Sequence, residues 1–89
     1  MTPQQNIVFS ALARGRLIFP FKEERSELRA RAAAGPLIED EAARLTDLDE
    51  AFEDIKAKDQ WFHSAMQSGD IEAAGKVAAE ALDVLQELA

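Results

Sequence analysis

The sequence lacks cysteine and tyrosine altogether, and it has a single histidine among its 89 residues. Disulfides and thiolate catalysis are therefore excluded. A Ser-His-Asp triad would have to use His63, but its sequence neighbour Ser64 points to another face of a helix. The remaining serines lie in unrelated contexts, so no catalytic residue is predicted and the chain is expected not to be an enzyme.

Glycine is scarce, and no long apolar run is present. The four glycines stand alone at positions 15, 35, 69 and 75, which leaves no phosphate-binding loop. The most apolar stretch near the start is interrupted by Arg14 and Arg16, and a membrane span needs about 20 apolar residues. Positive charge follows this stretch instead of preceding it, so no secretory signal is indicated. We expect a cytoplasmic protein, or a virion protein if the source is viral.

One pair of side chains has metal-binding spacing. Asp59 and His63 stand four residues apart on one helical face. Two ligands do not complete a site, and Gln60 stands where di-iron bundles have the glutamate of their Glu-x-x-His pattern. We therefore expect no metal, no cofactor and no small-molecule substrate. An oligomer that completes a metal site with symmetry copies is a weaker alternative.

Acidic and basic residues are unevenly distributed along the chain, whose net charge is -7. Residues 1–36 carry six basic and three acidic side chains, whereas residues 37–89 carry four basic and fourteen acidic ones. The negative net charge opposes binding to nucleic acid or to an anionic membrane. The uneven charge favours attraction between the basic end and an acidic partner or the acidic part of a second copy. The alternative is that the two parts of the chain only form two differently solvated faces.

Two breaks, Gly35-Pro36 and Ser68-Gly69-Asp70, divide the chain into three segments. They predict a single all-α domain in which a basic N-terminal arm with an apolar anchor segment, residues 1–35, precedes an acidic helical hairpin, residues 36–89. The hairpin helices are predicted at about 36–67 and 70–88, and the arm is predicted to be short and helical.

The two hairpin helices carry complementary apolar stripes. Positions 45, 52, 59 and 66, with 48, 55 and 62 between them, form a heptad seam typical of a coiled coil. The turn at Gly69 makes the helices antiparallel, so Phe62 should meet Gly75 at a close approach and Phe52 should meet Leu85. The predicted packing residues are Phe52, Ile55, Phe62, Met66, Ile71, Gly75, Ala78 and Leu85.

The stretch from Gly69 to Ala74, followed by Ala78, Ala81 and Leu82, resembles the turn and second helix of one tetratricopeptide unit. The first-helix aromatic and glycine positions of that family are not matched upstream, where Lys58 and Phe62 stand. One unit makes no solenoid groove. The resemblance implies a helical hairpin and carries no function.

The arm allows two structures. Residues 2–5 form a capping box with Pro3 at the first helical position, which favours a helix over about 3–14. Its shared face would comprise Ile7, Val8, Ala11 and Leu12. The alternative is a β-hairpin with strands at 7–9 and 17–19. Pro20 is expected to end either element, and residues 22–34 are expected to form a separate charged helix.

The predicted function depends on whether the N-terminal arm packs on its own hairpin or on a neighbouring subunit. The first hairpin helix overhangs the second, so its first turns are not covered by the hairpin. Either the arm folds back over them, or its apolar segment projects into a neighbouring subunit. In the second case the predicted protein interface comprises Leu17, Ile18, Phe19, Phe21, Leu37, Ile38, Leu45 and Leu48.

These patterns predict a non-catalytic protein-protein interaction or assembly module. It would be a self-associating small subunit or an adaptor of a larger complex, for example in virion or phage assembly. Its expected partner is protein, either a second copy or a larger complex. The alternative is an acidic inhibitor or nucleic-acid mimic that presents residues 39–59 to a basic site.

Overall fold

Three α-helices make up the fold. The computed structural model describes residues 1–89 and places α1 at Pro3–Ala34, α2 at Glu39–Gln67 and α3 at Ile71–Leu88, with no strand. α3 packs against both α1 and α2, which touch each other less. The all-α prediction and the antiparallel hairpin of the last two helices are confirmed. The molecule measures 48 × 20 × 16 Å, and its long axis matches the length of the 32-residue α1 at about 1.5 Å per residue.

α1 begins at the predicted capping box. The Thr2 hydroxyl accepts a hydrogen bond from the Gln5 backbone N–H at 3.2 Å, and the Gln5 side chain accepts one from the Thr2 N–H at 2.9 Å. Pro3 occupies the first turn, where no N–H is needed. Two otherwise unpaired backbone donors are thereby satisfied, which fixes the start of the helix.

α1 does not end at Pro20, and this corrects three expectations. The helix runs unbroken to Ala34, so the β-hairpin, the stop at Pro20 and the separate helix over 22–34 are all wrong. Pro20 is exposed, which keeps its ring on the solvent side, while Phe21 is buried in the core and Leu17 packs against it. Anchoring on both sides outweighs the local loss of one backbone hydrogen bond at the proline.

The breaks on either side of α2 lie where the sequence predicts them. Residues 36–38 form an extended linker, so α2 begins at Glu39, slightly later than expected. Its first turn carries three acidic residues, which suits the positive end of the helix dipole. Beyond its end, Gly69 adopts a φ of 77°, a conformation that favours glycine, and Asp70 caps α3 by accepting from the Ala73 N–H at 3.0 Å.

All three helices contribute to the core. Its buried members are Phe21, Leu28, Leu48, Ile55 and Leu85. Leu48 and Leu85 are fully buried. Small residues of α3, including Ala74 and Ala81, are buried as well, and their size lets both longer helices approach α3 closely. The predicted heptad seam of α2 is only partly buried, because Met66 is exposed at the end of α2.

Gly75 lies at a close approach, but its partner differs from the predicted one. A Cβ atom added at Gly75 would stand 2.9 Å from the carbonyl oxygen of Pro3 and 3.2 Å from its Cα. The approaching backbone is therefore the start of α1 and not Phe62. Phe62 is half-buried and lines a pocket with Val77 and Ala78, slightly further along α3. The sequence pattern does not indicate this contact, because it leaves open whether the arm folds back over the hairpin.

No helix of the structure combines the length and the apolar character that crossing a membrane requires.

Candidate functional site

The predicted interface residues are mostly inside the molecule. Phe21 and Leu48 are buried in the core, and Leu17, Ile18 and Leu45 pack against it. Leu37 is half-buried, and only Phe19 and Ile38 are exposed. The arm is therefore folded back over α2 and α3. Of the eight residues, two are buried, four are half-buried by contacts within the chain and two are exposed, so the eight do not form one exposed surface.

Ion pairs between α1 and α2 accompany the apolar packing of the folded-back arm. The basic end of the chain and its acidic centre meet within one molecule. The pairs are Arg14 with Asp59, Arg25 and Arg29 with Asp49, Arg31 with Glu41, and Glu24 with Arg44. Four of the six basic side chains of residues 1–36 are thus paired inside the chain, whereas only three of the fourteen acids of residues 37–89 pair with them.

Arg14 and Asp59 form the most symmetric of these contacts. The two terminal guanidinium nitrogens donate to the two carboxylate oxygens at 2.5 and 2.7 Å. Hydrogen bonding to Asp59 raises the pKa of Arg14 above its ordinary value, although partial burial acts in the opposite direction. Such paired, parallel bonds fix both the register and the orientation of two helices.

The same contact engages Asp59, which the weaker metal-binding alternative combines with His63. Asp59 is engaged by Arg14, while His63 is exposed and meets the ring of Phe62 edge-on at 6.1 Å between centroids. No group of three or more histidine and acidic side chains lies close enough together to hold a metal ion. The pocket beside Arg14 and Asp59 has a volume of about 100 Å³, well below the ~300 Å³ at which ligand pockets begin.

Arg44 connects all three helices. Its guanidinium donates two hydrogen bonds to Glu24 of α1, at 2.8 and 2.9 Å, and a third to the backbone carbonyl of Leu88 at the end of α3. It also lies 5.6 Å from the centre of the Phe21 ring. Hydrogen bonding from Arg44 lowers the pKa of the Glu24 carboxyl, because it stabilises the charged form.

Asp49 holds two arginines one helical turn apart. Its carboxylate accepts from Arg25 at 2.7 Å and from Arg29 at 2.9 Å. The hydrogen bond from Arg25 is the main cause that lowers the pKa of Asp49. The Arg25 guanidinium lies 4.9 Å from the centre of the Phe52 ring, so it also covers the apolar side of α2.

An apolar surface that the sequence did not reveal lies on the solvent side of α1. We call it the outer α1 face and define it by Val8, Phe9, Leu12, Gly15 and Phe19. The exposed fractions of its four large side chains are 59%, 52%, 64% and 63%, in chain order. The inner side of the helix points the opposite way, because Ile7, Arg14 and Phe21 contact the rest of the molecule.

The outer α1 face is unusual for a surface helix. Such helices normally carry apolar residues on one stripe and polar ones opposite, whereas the first half of α1 is apolar on both sides. Val8, Leu12, Gly15 and Phe19 follow the 4-3-4 spacing of a helix that packs on a partner. Of the four residues expected to share one face, Ile7 is half-buried and lines a pocket together with Ala11, whereas Val8 and Leu12 are exposed on the outer α1 face.

Away from this face, which Met1 adjoins beside Val8 and Phe9, large apolar side chains are exposed singly. Ile38 lies in the linker and Trp61 on α2. Trp61 follows Asp59 by two helical positions, which turns it away from α1. Isolated exposed apolar residues are normal on protein surfaces, so the outer α1 face is the candidate functional site.

No protein-family model matches the chain, and comparisons with curated proteins and with solved structures return no match.

Proposed function

We propose that the protein is a non-catalytic interaction and assembly module that binds another protein chain through the outer α1 face. One observation carries the proposal: four large apolar side chains are each more than half exposed on one side of a helix whose other side already supplies the core. A contiguous apolar patch of this kind is typical of a protein-protein contact.

The ion pairs of α1 support a role as a small subunit or adaptor. Four of the six basic side chains of α1 are held by acids of α2, so electrostatic attraction is used mainly within the chain. What α1 still offers to a partner is apolar area, bordered by the unpaired Arg16 and Lys22. Recognition through shape and apolar burial follows from this arrangement.

The alternative of an acidic inhibitor or nucleic-acid mimic has less support. Such a protein presents its carboxylates to a basic target. Within residues 39–59, Glu41, Asp49 and Asp59 are bound to arginines of α1, and Asp54 pairs with Lys58 at 3.1 Å. Four of the nine acids in this segment are thus paired, which leaves five for a basic target.

The experiment compares two double variants with matched exposure. Leu12→Ser with Phe19→Ser removes half of the outer α1 face, and Ile38→Ser with Trp61→Ser removes equally exposed side chains elsewhere. The tagged proteins are sized by gel filtration in the extract of cells that express them and after purification. We expect the unchanged protein and the second variant to elute in an assembly, and the first variant to elute as a single chain.

Thermal melts show whether each variant still folds, since none of these side chains belongs to the core. If the unchanged protein elutes as a single chain both in the extract and when purified, the proposed function is wrong. If both variants stay in the assembly, another surface makes the contact.

A further inference from the structure

We propose that the partner on the outer α1 face is the same face of a second copy, crossing it in the antiparallel direction with Gly15 at the contact. This inference rests on the proposed function, because it names the partner of the surface described there. It depends on three observations: a glycine that nothing within the chain explains, the sizes of the residues around it, and an arginine that has no acidic partner.

Contacts within one chain do not explain why position 15 is a glycine. It lies in the interior of α1, where glycine weakens a helix relative to alanine. No atom lies within 4 Å of a Cβ added at this position, in contrast to Gly75, which is held against Pro3. A glycine at an exposed helical position between Leu12 and Phe19 is suited to a second helix that approaches from outside.

Residue sizes select the antiparallel direction. Pairing Leu12 with Gly15 of the second copy places Val8 opposite Phe19, and the two-fold axis repeats both contacts. Each layer then joins a larger side chain to a smaller one, which is what dense packing requires. A parallel pair would place Gly15 on Gly15 and Phe19 on Phe19, so residues of equal size would meet in each layer. The 4-3-4 spacing keeps these positions on one side of α1 throughout.

The charges agree with the same register. Arg16 is exposed and has no acidic partner in the chain. In the antiparallel pair it lies beside Phe9 of the second copy, where a guanidinium can cover an aromatic ring as Arg25 covers Phe52 at 4.9 Å. Arg16 does not face Arg16 in this register. The acidic α2 lies behind α1, so the negative surfaces of the two copies stay apart.

The available area is that of a weak dimer. The four exposed residues correspond to roughly 500 Å² on one copy, so two copies bury at most about 1,000 Å². That lies below the area of stable specific interfaces, and it predicts a dimer that dissociates on dilution.

Single-cysteine variants test the partner and the direction together. Because the protein has no cysteine, Val8→Cys and Phe19→Cys each introduce one thiol. The two variants carry tags of different size, are oxidised alone and as a mixture, and are separated on a non-reducing gel. We expect the mixed disulfide in the mixture and little product from either variant alone. In the antiparallel pair two copies of position 8 lie roughly 16 Å apart along the helix, too far for a disulfide.

The other outcomes overturn the inference in distinguishable ways. Products from each variant alone indicate a parallel pair. Ser64→Cys, at an exposed position of α2, measures the disulfide that forms by random collision. If the face variants give no more product than Ser64→Cys, a second copy on this face is excluded. If the purified chain is then monomeric while the protein in cell extract still depends on Leu12 and Phe19 for its assembly, the partner is a different protein. In that case the proposed function holds and this inference does not.

Gly15→Ala adds a measurement in which helix propensity and dimer packing predict opposite effects. Alanine should raise the melting temperature of the dilute monomer, because it favours the helix. It should also weaken dimerisation roughly tenfold or more, because its methyl group keeps the crossing helices apart. Ser64→Ala, at an exposed position of α2 away from the face, should improve the helix without changing dimerisation. Equal or tighter dimerisation of Gly15→Ala would show that Gly15 does not lie at the contact.

Discussion

Arg14 and Asp59 are 45 residues apart in sequence, yet their side chains form two parallel hydrogen bonds of 2.5 and 2.7 Å. This contact joins the first half of α1 to the last third of α2. It shows that the basic arm finds its acidic partner within the same molecule, and it gives the first prediction a defined target.

Asp59→Asn should destabilise the protein by up to ~1 kcal/mol, because Arg14 keeps one neutral acceptor and loses the charge that faces it. Asp54→Asn is the matched control. It removes a surface contact with Lys58 within one helix, for which about 0.3 to 0.5 kcal/mol is expected. Urea melts of both variants, and of Arg14→Gln alone and combined with Asp59→Asn, give the coupling energy. A coupling of zero would mean that the pair fixes geometry without adding stability.

Stability should fall in acid. Hydrogen bonds from Arg44 and Arg25 lower the pKa values of Glu24 and Asp49 in the folded protein. A carboxyl whose pKa is lowered by folding stabilises the protein above the pKa of the unfolded chain, and this contribution is lost as the pH falls through the folded value. Melting temperatures should therefore be flat near neutrality and decline below about pH 5.

Glu24→Gln isolates one part of this pH dependence. The variant should be less stable than the unchanged protein at pH 7 and should lose less stability between pH 7 and pH 3. Glu23→Gln is the control, because Glu23 is exposed and has no ion pair. Parallel curves for Glu24→Gln and the unchanged protein would show that Glu24 makes no contribution to the acid sensitivity.

Gly75→Ala should destabilise the fold by about 1 to 3 kcal/mol, although alanine is the better helix former. The added Cβ would stand 2.9 Å from the Pro3 carbonyl oxygen, so the start of α1 must shift. Gly35→Ala is the control. Gly35 has extended backbone angles and open space around it, and the change should stay within about 0.5 kcal/mol. A stabilising effect of Gly75→Ala in denaturant melts would contradict the close approach.

Pro20→Ala should stabilise the protein by about 1 to 2 kcal/mol. The substitution restores a backbone N–H in the middle of α1, and the gain is reduced by the greater freedom of the unfolded chain. Pro36→Ala, in the linker before α2, provides the comparison. There only the unfolded chain gains freedom, so a loss of up to ~1 kcal/mol is expected. A loss of stability in Pro20→Ala would indicate that the fold depends on the local geometry of the proline.

Duplex DNA should not bind appreciably at physiological salt. The net charge is -7, and only Arg16 and Lys22 among the basic residues of α1 have no acidic partner. A mobility-shift assay over a range of salt concentrations checks this. A salt-dependent complex at submicromolar protein would show that the arginines leave their partners to contact phosphate.

The hairpin of α2 and α3 could be predicted because its signals are local. The heptad spacing around Leu48 and Ile55 and the turn at Gly69 each depend on neighbouring residues, and the structure contains both. The continuity of α1 could not be predicted. The helix-breaking effect of Pro20 is visible in the sequence, but the packing of Leu17 and Phe21 that overcomes it comes from residues far along the chain.

The candidate site was missed for a related reason. Apolar residues in the first half of α1 occur on both sides of the helix, and the sequence does not show which side faces α3. Which acids pair with the arginines of α1, Asp59 and Asp49 in this structure, likewise depends on how α1 is oriented along α2. Once the helix is known to be continuous, the 4-3-4 spacing of Val8, Leu12, Gly15 and Phe19 separates the outer α1 face from the inner one.

The order of the helices along the chain affects how the protein is synthesised. α3 is the element on which both earlier helices pack, and it leaves the ribosome after them. At about 5 to 20 residues per second, its 18 residues require roughly one to four seconds, during which α1 and α2 have no α3 to cover them. In that interval the core residues of α1, Phe21 and Leu28, are uncovered together with the outer α1 face. The nascent chain is therefore most open to chaperones, and to premature contact with a neighbouring nascent copy, just before its core closes.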